Sequence, residues 1–137
     1  MSQENVRLVR NVYALGLGPA VVDRAFASYL DEEFEVRPPG IYPDGEIFRG
    51  RAGVRRWLAA LSEAWGEWRF EPERFIDVGD RVVVLVRVVA RGGSSGVRLD
   101  RKTAHLWTIK DGRATRCDAY LDRSQALEAV GLPAEGR

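Results

Sequence analysis

The chain is poor in the residues that most often carry chemistry. It contains one cysteine, Cys117, and one histidine, His105. A lone cysteine excludes an internal disulfide and any multi-cysteine zinc site. One histidine with one cysteine falls short of the three or four ligands that zinc takes, so no metal is expected and no cofactor is implied. No stretch approaches the ~20 apolar residues of a membrane span, and the opening MSQENVRLVRN is polar and charged where a secretory signal needs an unbroken apolar run. Charge of one sign is lacking too. The 21 basic and 20 acidic residues are dispersed, which leaves no electrostatic footprint for nucleic acid or an anionic membrane. A soluble, cytoplasmic protein is the expectation.

What is present is a globular composition, 45% apolar and 30% charged over 137 residues. By surface-to-volume scaling this suffices for one self-supporting domain, spanning 1–137 with a core of about 3–132. The first third has helical periodicity. Val6, Val9, Val12 and Tyr13 recur at spacings of three and four before Gly16. Val22, Ala25, Phe26, Tyr29 and Leu30 line a second short helix, which the acidic DEE ends, and Val54, Trp57, Leu58, Leu61 and Trp65 stripe a third over 51–65. FEVRPPG alternates ahead of its prolines and predicts a short strand between the second and third helices.

From Trp68 onward the period is two. Strands are predicted at 68–76, 81–91, 97–109 and 113–121, joined by DVGD, GGSSG and KDGR, an antiparallel meander. Asp122 with Gln125 reads as a capping box for a last short helix that Gly131 and Pro133 end. The fold class is therefore α+β, with about three N-terminal helices gathered on one face of a curved, mixed or antiparallel sheet.

Alternation also assigns faces. Thr103, His105, Trp107 and Ile109 share one side of their strand, and Cys117 and Ala119 share the matching side of the next, so Asp118 faces away from His105. RVVVLVRVVAR is apolar on both faces apart from Arg87. Either the strand is rich in valine because valine favours strands, or something covers its outer side, for which a second copy of the chain, a homodimer through the outer sheet face, is the economical choice.

ENVRLVRNVYALG, FEVRPPG, FRGRAGVRRWL, FIDVGDRVVVLVRV and AHLWTIKDGRATRCDAYLDRSQALEAVGL occur in an order that resembles the SnoaL-like branch of the nuclear transport factor 2-like superfamily. That superfamily includes ketosteroid isomerases, polyketide cyclases and many pocket proteins without chemistry. The resemblance implies a pocket for a small, partly hydrophobic organic molecule and, in an enzyme, cofactor-free acid/base chemistry at a carbonyl of the isomerase or cyclase type. A non-catalytic ligand-binding or dimerisation module of the same fold is the alternative. Where an isomerase places its general-base aspartate this chain has Arg37, and where it has the oxyanion-hole aspartate the nearest match is Arg101. Tyr13 corresponds to the isomerase's helix-one tyrosine donor, and Ala119 stands where epoxide hydrolases of this fold have an aspartate.

His105 is the one side chain whose ordinary pKa lies near neutrality. It is either a proton shuttle in a pocket without inward carboxylates or a core histidine satisfied by a hydrogen bond. The candidate catalytic pair is His105 with Tyr13 as donor. The candidate ligand-binding residues are Arg37 and Arg101 for an oxyanion, Trp57 and Trp107 for an aromatic wall, and Cys117.

Overall fold

In the computed structural model, which describes residues 2–16, 19–38, 47–92 and 96–133, the elements run α1 (Ser2–Leu15), α2 (Pro19–Ser28), β1 (Leu30–Arg37), β2 (Phe48–Arg49), α3 (Gly50–Ala64), β3 (Glu67–Val78), β4 (Arg81–Arg91), β5 (Arg98–Lys110), β6 (Arg113–Tyr120) and α4 (Arg123–Ala129). The six strands form one mixed sheet in the order β2-β1-β6-β5-β4-β3, with β1 and β6 parallel and the other neighbours antiparallel. The central residues of GGSSG, 93–95, and of the segment after Pro38, 39–46, lie outside the described residues. At the KDGR hairpin Asp111 and Gly112 take φ of 52° and 77°. Two consecutive left-handed residues are what a two-residue type I′ turn requires.

The sequence assigns Leu30 to the second helix, but it begins β1. Leu30, Phe34 and Val36 are 5%, 2% and 5% exposed on the helix side of the sheet. A register shift against β6 between Leu30 and Glu35 takes up the acidic run, so DEE belongs to the strand rather than to the end of the helix. Arg113 fixes the junction from β6, donating to the carbonyls of Phe26, Leu30 and Ala27 at 3.1, 3.1 and 3.2 Å. Carbonyls at the end of a helix have no partner within it, and this guanidinium supplies one.

β3, an edge strand, carries a bulge. Pro72 pairs with Val86 but Arg74 pairs with Leu85, leaving Glu73 as the extra residue. Parity reverses across it: Trp68 and Phe70 before the bulge and Phe75 after it all pack on the helix-side core. The edge position is also where a strand tolerates proline.

Two cores result. On the concave face Val9, Val22, Phe26, Val54 and Leu58 from the helices meet Phe34, Val82, Val84, Val86, Trp107 and Ile109. On the outer face Val83, Leu85, Ala104 and Leu106 are covered by Ala126 and Leu127 of α4. This corrects the expectation that a second copy hides the outer side of β4. Val83 and Leu85 are 0% and 2% exposed in the single chain, because α4 folds back across them. Arg123 pins it there, with Nε donating to the Thr103 carbonyl at 2.9 Å and Nη2 to Glu73 at 2.7 Å and the Val86 carbonyl at 3.2 Å. Asp122 caps the helix by accepting from the Ser124 N–H at 2.8 Å. Elsewhere the outer face carries the ionic row Glu35, Arg37, Arg49, Arg116 and Asp118 on β1, β2 and β6.

Candidate functional site

Between the three long helices and the concave sheet lies a cavity of about 260 Å³. Its wall is aromatic: Phe34, Trp57, Trp68, Phe70 and Trp107 border it. Phe34 stacks on Trp107 at 5.7 Å and 22°, and Trp57 on Phe70 at 6.2 Å and 23°. A second cavity of about 170 Å³ adjoins the first toward the start of β5, and Trp57, Trp68, Phe70, His105 and Ala119 border both.

Apart from Arg69, which is paired with Glu71, the polar side chains of the wall with hydrogen-bond partners form one connected chain. Trp107 Nε1–H donates to Tyr13 Oη at 3.0 Å, and Tyr13 Oη lies 2.5 Å from His105 Nδ1. Burial raises the Tyr13 phenol well above its ordinary pKa, with the nearby Cys117 adding to the rise, so the phenol keeps its proton. That proton needs an acceptor, and His105 Nδ1 is the one in reach. Burial also lowers His105 to about 4, so at neutral pH the ring is uncharged. A neutral imidazole whose Nδ1 accepts must carry its hydrogen on Nε2. Nε2 has no protein partner among the described residues, and the ring borders both cavities. Phe70 stands against the ring at 5.0 Å and 84°.

The fold brings six of the seven residues singled out in the sequence to the concave side. His105, Tyr13, Trp57, Trp107 and Cys117 border the first cavity and Arg101 the second. Arg37 does not join them. It points to the outer face, donating to Glu35 at 3.1 Å with Asp118 at 3.9 Å. The physical reason is parity: Phe34 and Val36 are buried toward the helices, so Glu35 and Arg37 cannot be. Tyr13 also takes a different part from that of a donor to ligand, because its hydrogen is committed to His105. Cys117 is 6% exposed, and burial, helped by Asp118, raises its thiol well above the ordinary value. A protonated, enclosed thiol contributes volume rather than a nucleophile.

Phe34, Trp68 and Phe70 were missed as wall residues. The alternation of Trp68 and Phe70 with Arg69 carried the signal. Nothing in the sequence ties Phe34 on β1 to Trp107 on β5, with β6 between them. Among the described residues no group of three or more His, Cys, Asp or Glu comes together, and no helix is long and apolar enough to cross a membrane.

Several solved structures have this fold. TerC, co-crystallised with polyporic acid, is 26% identical, with 90% of this chain and 97% of that chain covered and a TM-score of 0.66. An NTF2-like protein of unknown function from Burkholderia pseudomallei is 22% identical, covering 93% of this chain and 98% of that one at a TM-score of 0.72. A protein with a ketosteroid isomerase-like fold from Catenulispora acidiphila, solved in complex with trimethylamine, is 16% identical over 85% and 96% of the two chains at a TM-score of 0.60. No curated protein matches. The SnoaL-like domain family matches residues 10–117, which is most of the chain and takes in α2, α3 and the sheet, so this protein belongs to the SnoaL-like domain family.

Proposed function

We propose that the chain binds a small, flat, partly hydrophobic ketone or quinone in the larger cavity, with the carbonyl oxygen accepting a hydrogen bond from His105 Nε2–H. The observation that carries this reading is the Trp107 to Tyr13 to His105 chain, which leaves one polarised N–H facing an otherwise aromatic space. An unmatched donor in an apolar wall favours a ligand that supplies an acceptor. The co-crystallisation of TerC with polyporic acid supports a small organic molecule as occupant in this fold.

Turnover of the isomerase or cyclase kind needs a base as well as a donor. The described residues bordering the cavity include no carboxylate, and the His105 lone pair at Nδ1 is engaged by Tyr13. Binding with polarisation of the carbonyl is therefore the reading, and proton abstraction is not.

The test uses 9-fluorenone and fluorene, which differ by the carbonyl, followed by quenching of the cavity tryptophans. Wild type should bind fluorenone about tenfold more tightly than fluorene, the value of one good hydrogen bond in a dry site. His105→Leu should bring the ratio to about one. An unchanged ratio in that variant removes His105 from the binding role.

A further inference from the structure

Each cavity is bordered by one arginine, but Arg69 at the first is paired with Glu71, whereas Arg101 at the second has no acid partner among the described residues. Arg101 projects from β5 on the same face as Thr103 and His105, pairs across to Val88, and borders this cavity at its open side. Its guanidinium has no carboxylate partner among the described residues, whereas Arg37, Arg49, Arg51, Arg55, Arg69, Arg87, Arg116 and Arg123 each pair with an acid. Other arginines without an acid partner among the described residues, Arg24, Arg74 and Arg81 for instance, border neither cavity, whereas Arg101 borders the aromatic second one. The Thr103 hydroxyl donates to the Val86 carbonyl at 3.3 Å, so its proton does not compete with Arg101 for an anion there.

His105 borders both chambers, and four residues along one strand place its Cα about 13 Å from that of Arg101. A molecule held at its carbonyl by His105 can therefore extend past Trp57 and Phe70 and present its far end to Arg101. We infer that the natural ligand is a two-part aromatic carbonyl compound carrying an anionic substituent of the carboxylate class, with the second cavity as its acid subsite and Arg101 as the residue that selects for it. The planar guanidinium suits a carboxylate because two parallel N–H donors match its two oxygens. Exposure at the mouth lets the acid enter without complete desolvation, which keeps the gain modest and sensitive to salt.

This inference rests on the proposed carbonyl site, and the experiment separates the two. The probes are 9-oxofluorene-2-carboxylate and the neutral 9-oxofluorene-2-carboxamide, titrated into wild type, Arg101→Gln and Arg101→Lys at low and high salt. Wild type should prefer the carboxylate by about five- to tenfold at low salt, with the preference shrinking as salt rises. Arg101→Gln should abolish the preference and leave amide affinity unchanged, and Arg101→Lys should keep part of it. Because Arg101 is exposed, none of these variants should melt differently from wild type. Equal binding of both probes by wild type overturns the acid subsite and leaves the carbonyl site standing. A preference that survives Arg101→Gln equally overturns it. Failure of both probes to bind overturns the two readings together.

Discussion

Tyr13→Phe is the most informative single change, because it removes one oxygen and keeps the ring that packs edge-on against Phe75 at 5.8 Å and 80° and against Trp107 at 5.7 Å and 70°. Only the hydrogen-bonded chain is lost. The Trp107 N–H loses its acceptor and His105 Nδ1 its donor, both in enclosed surroundings. A buried group left without a partner costs about 1–3 kcal/mol, so two together cost about 2–6 kcal/mol. For a chain of this size that is a fall of roughly 6–20 °C in Tm. The imidazole also loses the group that fixes its tautomer, so a mixture of Nδ1–H and Nε2–H forms should appear. Thermal unfolding followed by near-ultraviolet circular dichroism reads the first effect, and nitrogen-15 spectra of labelled histidine, with one signal set from the single His105, read the second. A variant melting within a degree of wild type, or a wild-type spectrum of the Nδ1–H tautomer, would refute the assignment of Tyr13 as donor and His105 as acceptor.

Further outcomes follow from other parts of the fold. His105 lies at about 4 folded against an ordinary 6.5, so the unfolded chain binds the proton that the folded chain refuses. This contribution is whole above pH 6.5 and is lost as pH falls toward 4, about 3 kcal/mol in all; urea unfolding across that window should show the loss in wild type and a shallower one in His105→Gln. Gly53→Ala should destabilise by about 1–2 kcal/mol despite a better helix former, because the new Cβ would lie 2.9 Å from the Phe48 carbonyl carbon; an unchanged or raised urea midpoint contradicts this. Leu127→Ala, at a residue 4% exposed on the outer core, should cost about 2–4 kcal/mol, measured by calorimetry. Arg123→Met should release α4 from the sheet, speeding amide hydrogen exchange in that helix roughly tenfold while cavity binding persists.

Much of this arrangement could be read from the residues. The alternation in RKTAHLWTIK and RATRCDAY put His105, Trp107 and Cys117 on one face and Asp118 on the other, because each strand has a face that must be buried and parity leaves no choice. The same rule, applied to FEVR, separates Arg37 from Phe34 and Val36; analogy with the isomerases obscured what the alternation already contained. Two features had no local signal. A seven-residue helix such as α4 shows that it is amphipathic but not which sheet face receives it, so the outer valines were matched to a second copy. The pairing of Tyr13 with His105 joins residues 92 positions apart, and only the closure of α1 onto β5 brings them together.

The extra residue in β3 has a consequence for how this chain could vary. Trp68 and Phe70 face inward on even positions and Phe75 on an odd one, and Glu73 reconciles them. Deleting Glu73 would act like a reading-frame error written in space. Either the two rings before it or the one after it would have to trade sides with the arginines and glutamates between them. Lengthening or shortening this edge is therefore tolerable by whole pairs, and single-residue changes there would redraw the cavity wall.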